Sequence, residues 1–184
     1  MSSLALHTRD TAHWRALVTA AEASVQSCLD DDLESYLVML LLRFARRGQG
    51  AGEPPALSAG GASETLTTEG LIDAGDRCLV IAGLMPDQAL AQGLPVRHFV
   101  DTGRYAFEEA ARRTANPIFR RLADQFVELM DVLQVMRTLD EDEIMVDLFR
   151  VYDQWQDTGS RYAYRLLLAA TDALPAMSVS RHRH

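Results

Sequence analysis

The segment RHFVDTGR, residues 97–104, sets two arginines, a histidine and an aspartate within one short stretch. On a helix, Arg97 and Arg104 lie a heptad apart and share a face. Two guanidinium groups so placed can hold an anion: a phosphate, a nucleotide or an acidic partner. His98 and Asp101 add titratable groups, and an enzymatic reading would draw on His98, Asp101 and Arg104. A catalytic histidine needs a nucleophile and an orienting group. Cys78 and Asp101 are conceivable partners, but no spacing ties them to His98. Arg97, His98, Asp101 and Arg104 are therefore read as a ligand-binding set, with no catalytic residue assigned. The competing reading is a solvated face. Arg112, Arg113, Arg120 and Arg121 crowd the same part of the chain, close to Glu108, Glu109 and Asp124, which can pair with them.

The remaining constellations exclude more than they suggest. Asp30, Asp31, Asp32 and Glu34 form one acidic cluster, and Asp140, Glu141, Asp142 and Glu143 form another. Neither has the alternating ligands and central glycine of a calcium loop. Carboxylates at helix N-termini are explained by capping and by the helix dipole. No Glu-x-x-His occurs, so a di-iron bundle is excluded. The histidines His7, His13, His98, His182 and His184 share no metal-binding spacing, and no metal or other cofactor is expected. All 18 basic residues are arginine; without a lysine, a P-loop is excluded.

Charge and composition narrow the partners. The net charge of −8 argues against a nucleic-acid binder, which must displace counterions from phosphate. No apolar run is long enough to span a bilayer, so no membrane insertion is expected. The N-terminal stretch MSSLALHTRD lacks the features of a secretory signal, and Cys28 and Cys78 are isolated. Both observations point to the cytoplasm.

The elements that must position these residues read as helices. Ala12, Leu17, Ala21, Val25 and Cys28 mark a first helix over about Asp10–Cys28. Asp31 and Glu34 resemble a capping box opening LESYLVMLLLRFARR. That helix is apolar nearly all round, which places it in a core or an oligomer interface. Leu37, Val38, Met39, Leu41 and Leu42 are the expected interface. Gly48–Ala62 reads as a flexible Gly/Pro/Ala loop, with a helix restarting near Ser63 and stopping at Pro86. Pro86–Pro95 reads as a loop with one possible helical turn. Pro95 is placed at the first position of the next helix, and Asn116-Pro117 caps and starts another. That one carries a stripe from Ile118 to Met136. Asp140 and Glu143 resemble a further capping box. Ile144, Leu148, Val151, Tyr152 and Trp155 then share a face that ends at Gly159. Ser160 caps a last helix, closed by Pro175. The aromatics, Phe149, Trp155 and Tyr164 among them, fall mostly on expected core faces.

The segment GDRCLVIAGLMP, residues 75–86, could be a buried strand before a glycine turn or a helix with close neighbours. No second β-run offers a pairing partner, and a lone strand leaves its backbone groups unsatisfied. On a helix, Gly75, Cys78, Ala82 and Met85 form a stripe of small residues suited to a close helix crossing. The helical reading is adopted.

GDRCLVIAGLMP followed by HFVDTGRYAFEEAA, residues 98–111, resembles a group of small helical bacterial proteins. The group shares GD-x-C-L-x-x-A-G-L-x-P and F-V-x-x-G-R-x-A. The likeness spans roughly the middle third of the chain. It implies a helical bacterial protein, no activity and no site residues.

The expectation is an all-α, single-domain bundle of about seven helices over residues 1–175, with a disordered tail at 176–184. The expected role is non-catalytic: association with a protein partner or with further copies. The alternatives are a module that binds a small apolar or anionic ligand, its cavity lined by the aromatics and leucines, and an enzyme of unassigned class.

Overall fold

Local capping chemistry sets the helix starts. A computed structural model describes residues 2–26, 28–47, 67–91, 93–140 and 147–172. Among these, nine helices and no strand occur. They are α1 (Ser2–Val25), α2 (Asp31–Arg47), α3 (Thr68–Leu84), α4 (Pro86–Ala91), α5 (Val96–Thr114), α6 (Pro117–Asp124), α7 (Phe126–Asp140), α8 (Leu148–Thr158) and α9 (Arg161–Asp172). The Asp30 side chain accepts from the amides of Asp32 and Leu33 at 3.1 and 3.0 Å. Thr67, Asn116 and Asp147 cap α3, α6 and α8 in the same way. Each such cap is worth about 1 kcal/mol.

Several boundaries differ from the sequence reading. Helix α1 begins at Ser2, well before Asp10. Asp30 rather than Asp31 caps α2, because its carboxylate reaches two free amides. Pro95 is the residue before α5, not its first turn. Pro86–Ala91 is a helix rather than a loop. The stripe from Ile118 to Met136 is divided at Gln125, whose φ of −102° and ψ of 19° interrupt the helix for one residue. Leu122 and Phe126 stay fully buried on either side, so the stripe survives the break. Asp140 ends α7 instead of capping α8, which starts after the cap Asp147. Glu143 and Ile144, the loop at 48–62, the restart near Ser63, and Pro175 with the tail lie outside the described residues.

GDRCLVIAGLMP lies within α3 and just past its end, and α3 is the centre of the bundle. Ten of its residues, Leu71, Ala74–Asp76 and Cys78–Gly83, are buried, which requires helices on several sides. A Cβ added at Gly75 would sit 2.6 Å from the Phe107 ring of α5. One added at Gly83 would sit 2.5 Å from Leu133 Cβ of α7. Gly103 answers from α5, its Cα face meeting Cys78 and Phe126. The segment is thus a helix with two partners at contact distance, the close crossing that its small residues suggested.

Helices α1 and α2 pack together, and α1 also lies on α7. Leu33, Leu37 and Leu41 of α2 join Phe107, Phe126, Leu129 and Met130 in one apolar cluster. Arg121 of α6 staples this layer by pairing with Asp30 at 2.9 Å and Asp32 at 2.6 Å. The far end of the molecule is different. There α8 and α9 form a hairpin that rests on α5 and α7.

Candidate functional site

Helix α8 is amphipathic, yet none of its residues is buried. Val151, Gln154, Trp155 and Thr158 face the body and are half-buried. On the other side Phe149 is 85 % exposed and Tyr152 48 %. Tyr164 and Leu168 of α9 are also exposed. The rings form a continuous surface: Tyr152 lies 5.8 Å from Trp155, and Trp155 lies 5.5 Å from Tyr164. Helical spacing places Asp153 beside Phe149 at the α8 edge of this face, where it also borders the cavity under the hairpin. It places Arg161 and Arg165 beside Tyr164 and Leu168 on the α9 edge. None of these three charged side chains has an ion-pair partner among the described residues. Arg150, also on the α8 side, is paired with Asp147 at 3.2 Å.

A buried polar chain fixes the hairpin to the body. Ser160, at the turn, is fully buried. Its hydroxyl donates to Asp131 of α7 at 2.6 Å and accepts from the amide of Ala163 at 3.0 Å. Asp131 also accepts from the amides of Arg161 and Tyr162, so a residue of α7 caps α9. Burial pushes the Asp131 carboxyl up to about 6, against the opposing pull of those donors. Gln154 donates to Gln134, which donates in turn to the Ala82 carbonyl at 2.9 Å. The network links α8 and α9 through α7 to α3. Ser160 has its hydroxyl satisfied and shut off from solvent, so it caps a helix and is not a nucleophile.

A cavity of about 220 Å³ lies where this hairpin meets the first turns of α4 and α5 and the later part of α7. Val96, Val151 and Leu166 supply apolar wall, and Gln134, Arg137 and Tyr162 supply polar wall. Arg137 donates to Asp87 at 3.2 Å.

A second polar cluster lies inside the bundle. Asp76 of α3 accepts from the Tyr36 hydroxyl at 2.7 Å and from Arg43 at 2.8 Å, both on α2. Burial raises the Asp76 carboxyl, and the two donors oppose that shift. The Tyr36 hydroxyl is raised by burial and then by the neighbouring carboxylate. The cluster ties α2 to α3 and has no access for a substrate at Asp76, which is 5 % exposed.

Of the four ligand-binding residues expected from the sequence, Arg97 alone lines the cavity. It is paired with Asp101 at 3.3 Å and Asp157 at 3.7 Å. His98 is half-buried and edge-on to the Phe99 ring. Asp101 and Arg104 are exposed on α5. The other arginines are drawn into pairs: Arg112 and Arg113 with Glu109, Arg120 with Asp124, Arg121 with Asp30 and Asp32. Of the expected interface, Leu37, Val38, Leu41 and Leu42 are taken up by the chain's own core, and Met39 is exposed. The all-round apolar character of α2 is therefore accounted for by burial between α1, α3 and α6. Cys78 is buried, with its thiol pushed up to about 12 by that burial, and Cys28 is exposed.

The sequence does not reveal the aromatic face, because an apolar stripe reads alike whether the chain itself or something else covers it. Phe149, Trp155 and Tyr164 read as core on that basis, and only Trp155 is even half-covered by the body. Leu148, Val151, Tyr152 and Trp155 share one apolar stripe on α8, and nothing in their spacing marks which part of it the body leaves open. Among the described residues no cluster could hold a metal ion, and no helix is long and apolar enough to cross a membrane. No protein-family model matches the chain, and no curated protein or solved structure matches it at a significant level.

Proposed function

We propose that this protein is a non-catalytic, cytoplasmic helical protein that acts by self-association through the outer face of α8 and α9. The observation that carries this reading is an amphipathic helix with nothing buried, beside a second helix with exposed Tyr164 and Leu168. An apolar patch of this kind, bounded by charge, marks an association surface. The occupant that fits is a second copy. A two-fold contact brings one surface against itself, so the surface must complement itself. This face does: the acidic edge on α8 would meet the basic edge on α9 of the partner. Asp153 would then face Arg161 and Arg165, with the rings between. Two hairpins packed in this way make a four-helix arrangement with an aromatic centre.

Light scattering after size exclusion tests the reading. The expected result is a dimer for the unaltered chain and a monomer for Phe149→Asp. Reversing the edge charges by Asp153→Arg should also dissociate the dimer, and adding Arg161→Asp and Arg165→Asp should restore it. A strict monomer for the unaltered chain, or a dimer indifferent to Phe149→Asp, overturns the proposal.

A further inference from the structure

We propose that the cavity beneath the hairpin binds a small zwitterion of free amino-acid size, with a carboxylate, an ammonium group and an apolar body. The volume of about 220 Å³ equals that of about seven water molecules, which suits a compact organic molecule. Its polar lining has a particular balance. Four aspartates and three arginines reach the wall: Asp87, Asp147, Asp153 and Asp157 against Arg97, Arg137 and Arg150. A bare anion would meet that acidic excess, and a bare cation would meet the innermost arginine.

The arginines are not equivalent. Arg97 and Arg150 stand at the rim, 57 % and 58 % exposed, each against an aspartate on α8 or its cap. Arg137 is the inner one, its side chain 20 % exposed. It uses Nη1 on Asp87 and leaves Nη2 without a hydrogen-bond partner among the described residues, whereas its Nε is buried out of a ligand's reach. A guanidinium edge with spare N–H groups is the standard receptor for a carboxylate. Asp87 is 81 % exposed, so its carboxylate is held only at the arginine end and keeps oxygen lone pairs for another cation. A zwitterion would lie along this pair, with its carboxylate on Arg137 and its ammonium on Asp87. Its side chain would rest on Val96, Val151 and Leu166, the apolar part of the wall. This arrangement adds charge of each sign where the wall carries the opposite one.

Titration calorimetry with L-leucine and L-phenylalanine tests the assignment. Isocaproate is leucine without its ammonium group, and isopentylamine is leucine without its carboxylate. The expected result is saturable binding of at least one amino acid, one molecule per chain, and binding of both analogues weaker by about tenfold or more. Arg137→Gln should weaken amino-acid binding by a similar factor while circular dichroism stays unchanged. Leu166→Trp, which fills the cavity, should abolish it. If Arg137→Gln does not fold, the comparison of leucine with its two analogues on the unaltered chain still decides. No saturable heat from either amino acid overturns the proposal. So does an analogue that binds as tightly as leucine, or binding that survives both substitutions.

Discussion

The centre of the bundle and the α8–α9 hairpin are built on opposite terms. In the centre, α3 is pressed so closely by α5 and α7 that glycine alone fits at Gly75 and Gly83. Leu71, Leu79, Phe107, Phe126 and Leu133 are all fully buried around it. In the hairpin Phe149, Tyr152, Tyr164 and Leu168 face outward, Val151, Trp155, Tyr162 and Leu166 are only half-buried, and polar bonds through Asp131, Ser160, Gln134 and Gln154 add to the attachment. Close packing makes the centre intolerant of added volume. The hairpin's surface is spared that constraint and is free to carry a function. The difference separates stability from association: the first should fail when the centre is altered, the second when the hairpin is.

The largest effect should come from enlarging the crossing. Gly75→Leu would drive side-chain carbon into the Phe107 ring, which lies 2.6 Å from where the first such carbon would stand. Phe107 cannot withdraw, because it is stacked on Phe119 and tilted against Phe126. We expect a loss of about 3 kcal/mol, the upper part of the overpacking range. Urea denaturation followed by circular dichroism measures it. A variant as stable as the parent would mean that α3 and α5 do not meet at this glycine, and the contrast between the two regions would collapse.

The helical centre was legible in the sequence because its signals were local. Asn116-Pro117, Gly159 and the small-residue stripe of GDRCLVIAGLMP each act through backbone geometry within a few residues. Their consequences appear where expected: a cap and N1 proline at α6, a left-handed C-cap at Gly159, a close crossing at Gly75. The site was less legible because it depends on which apolar stripe is left uncovered. Leu37, Val38, Leu41 and Leu42 read as an interface and are core, whereas Phe149 and Tyr164 read as core and are surface. Periodicity identifies an apolar face and is silent on what meets it. Arg137 carries no motif either. It matters through Asp87, 50 positions earlier in the chain, a pairing that only the folded arrangement supplies.

The joint between the two regions should respond to pH. Asp131 lies at about 6 in the folded protein, above its ordinary 3.8. Between those values the folded state binds the proton more readily than the unfolded one. Its contribution to stability is therefore fully present below about 4 and is lost as pH rises through about 6. Burial of the charged form is the cause. Relative to Asp131→Asn, which does not titrate, the parent should lose roughly 1–3 kcal/mol across that window. Denaturant midpoints for the two proteins at a series of pH values measure the difference. A constant difference, or one that grows in the parent's favour with rising pH, would place the Asp131 charge in a solvated site and loosen the hairpin's link to α7.

The smallest effect on stability should come from the most exposed aromatic residue. Phe149 occupies the second position of α8, after the cap Asp147 and Leu148. Its side chain is 85 % exposed, so the fold gains little from it. An aspartate there would stand in the first turn, where negative charge favours the helix dipole. Loss of the ring and gain of that charge should nearly cancel. The monomeric stability of Phe149→Asp should then stay within about 0.5 kcal/mol of the parent, measured at concentrations too low for association. The same substitution is the one expected to abolish the dimer. A ring that matters for association and not for folding is what the contrast between hairpin and centre requires. If Phe149→Asp instead destabilised the monomer as much as Gly75→Leu, α8 and α9 would belong to the core's cooperative unit, and their exposed face would lose its separate role.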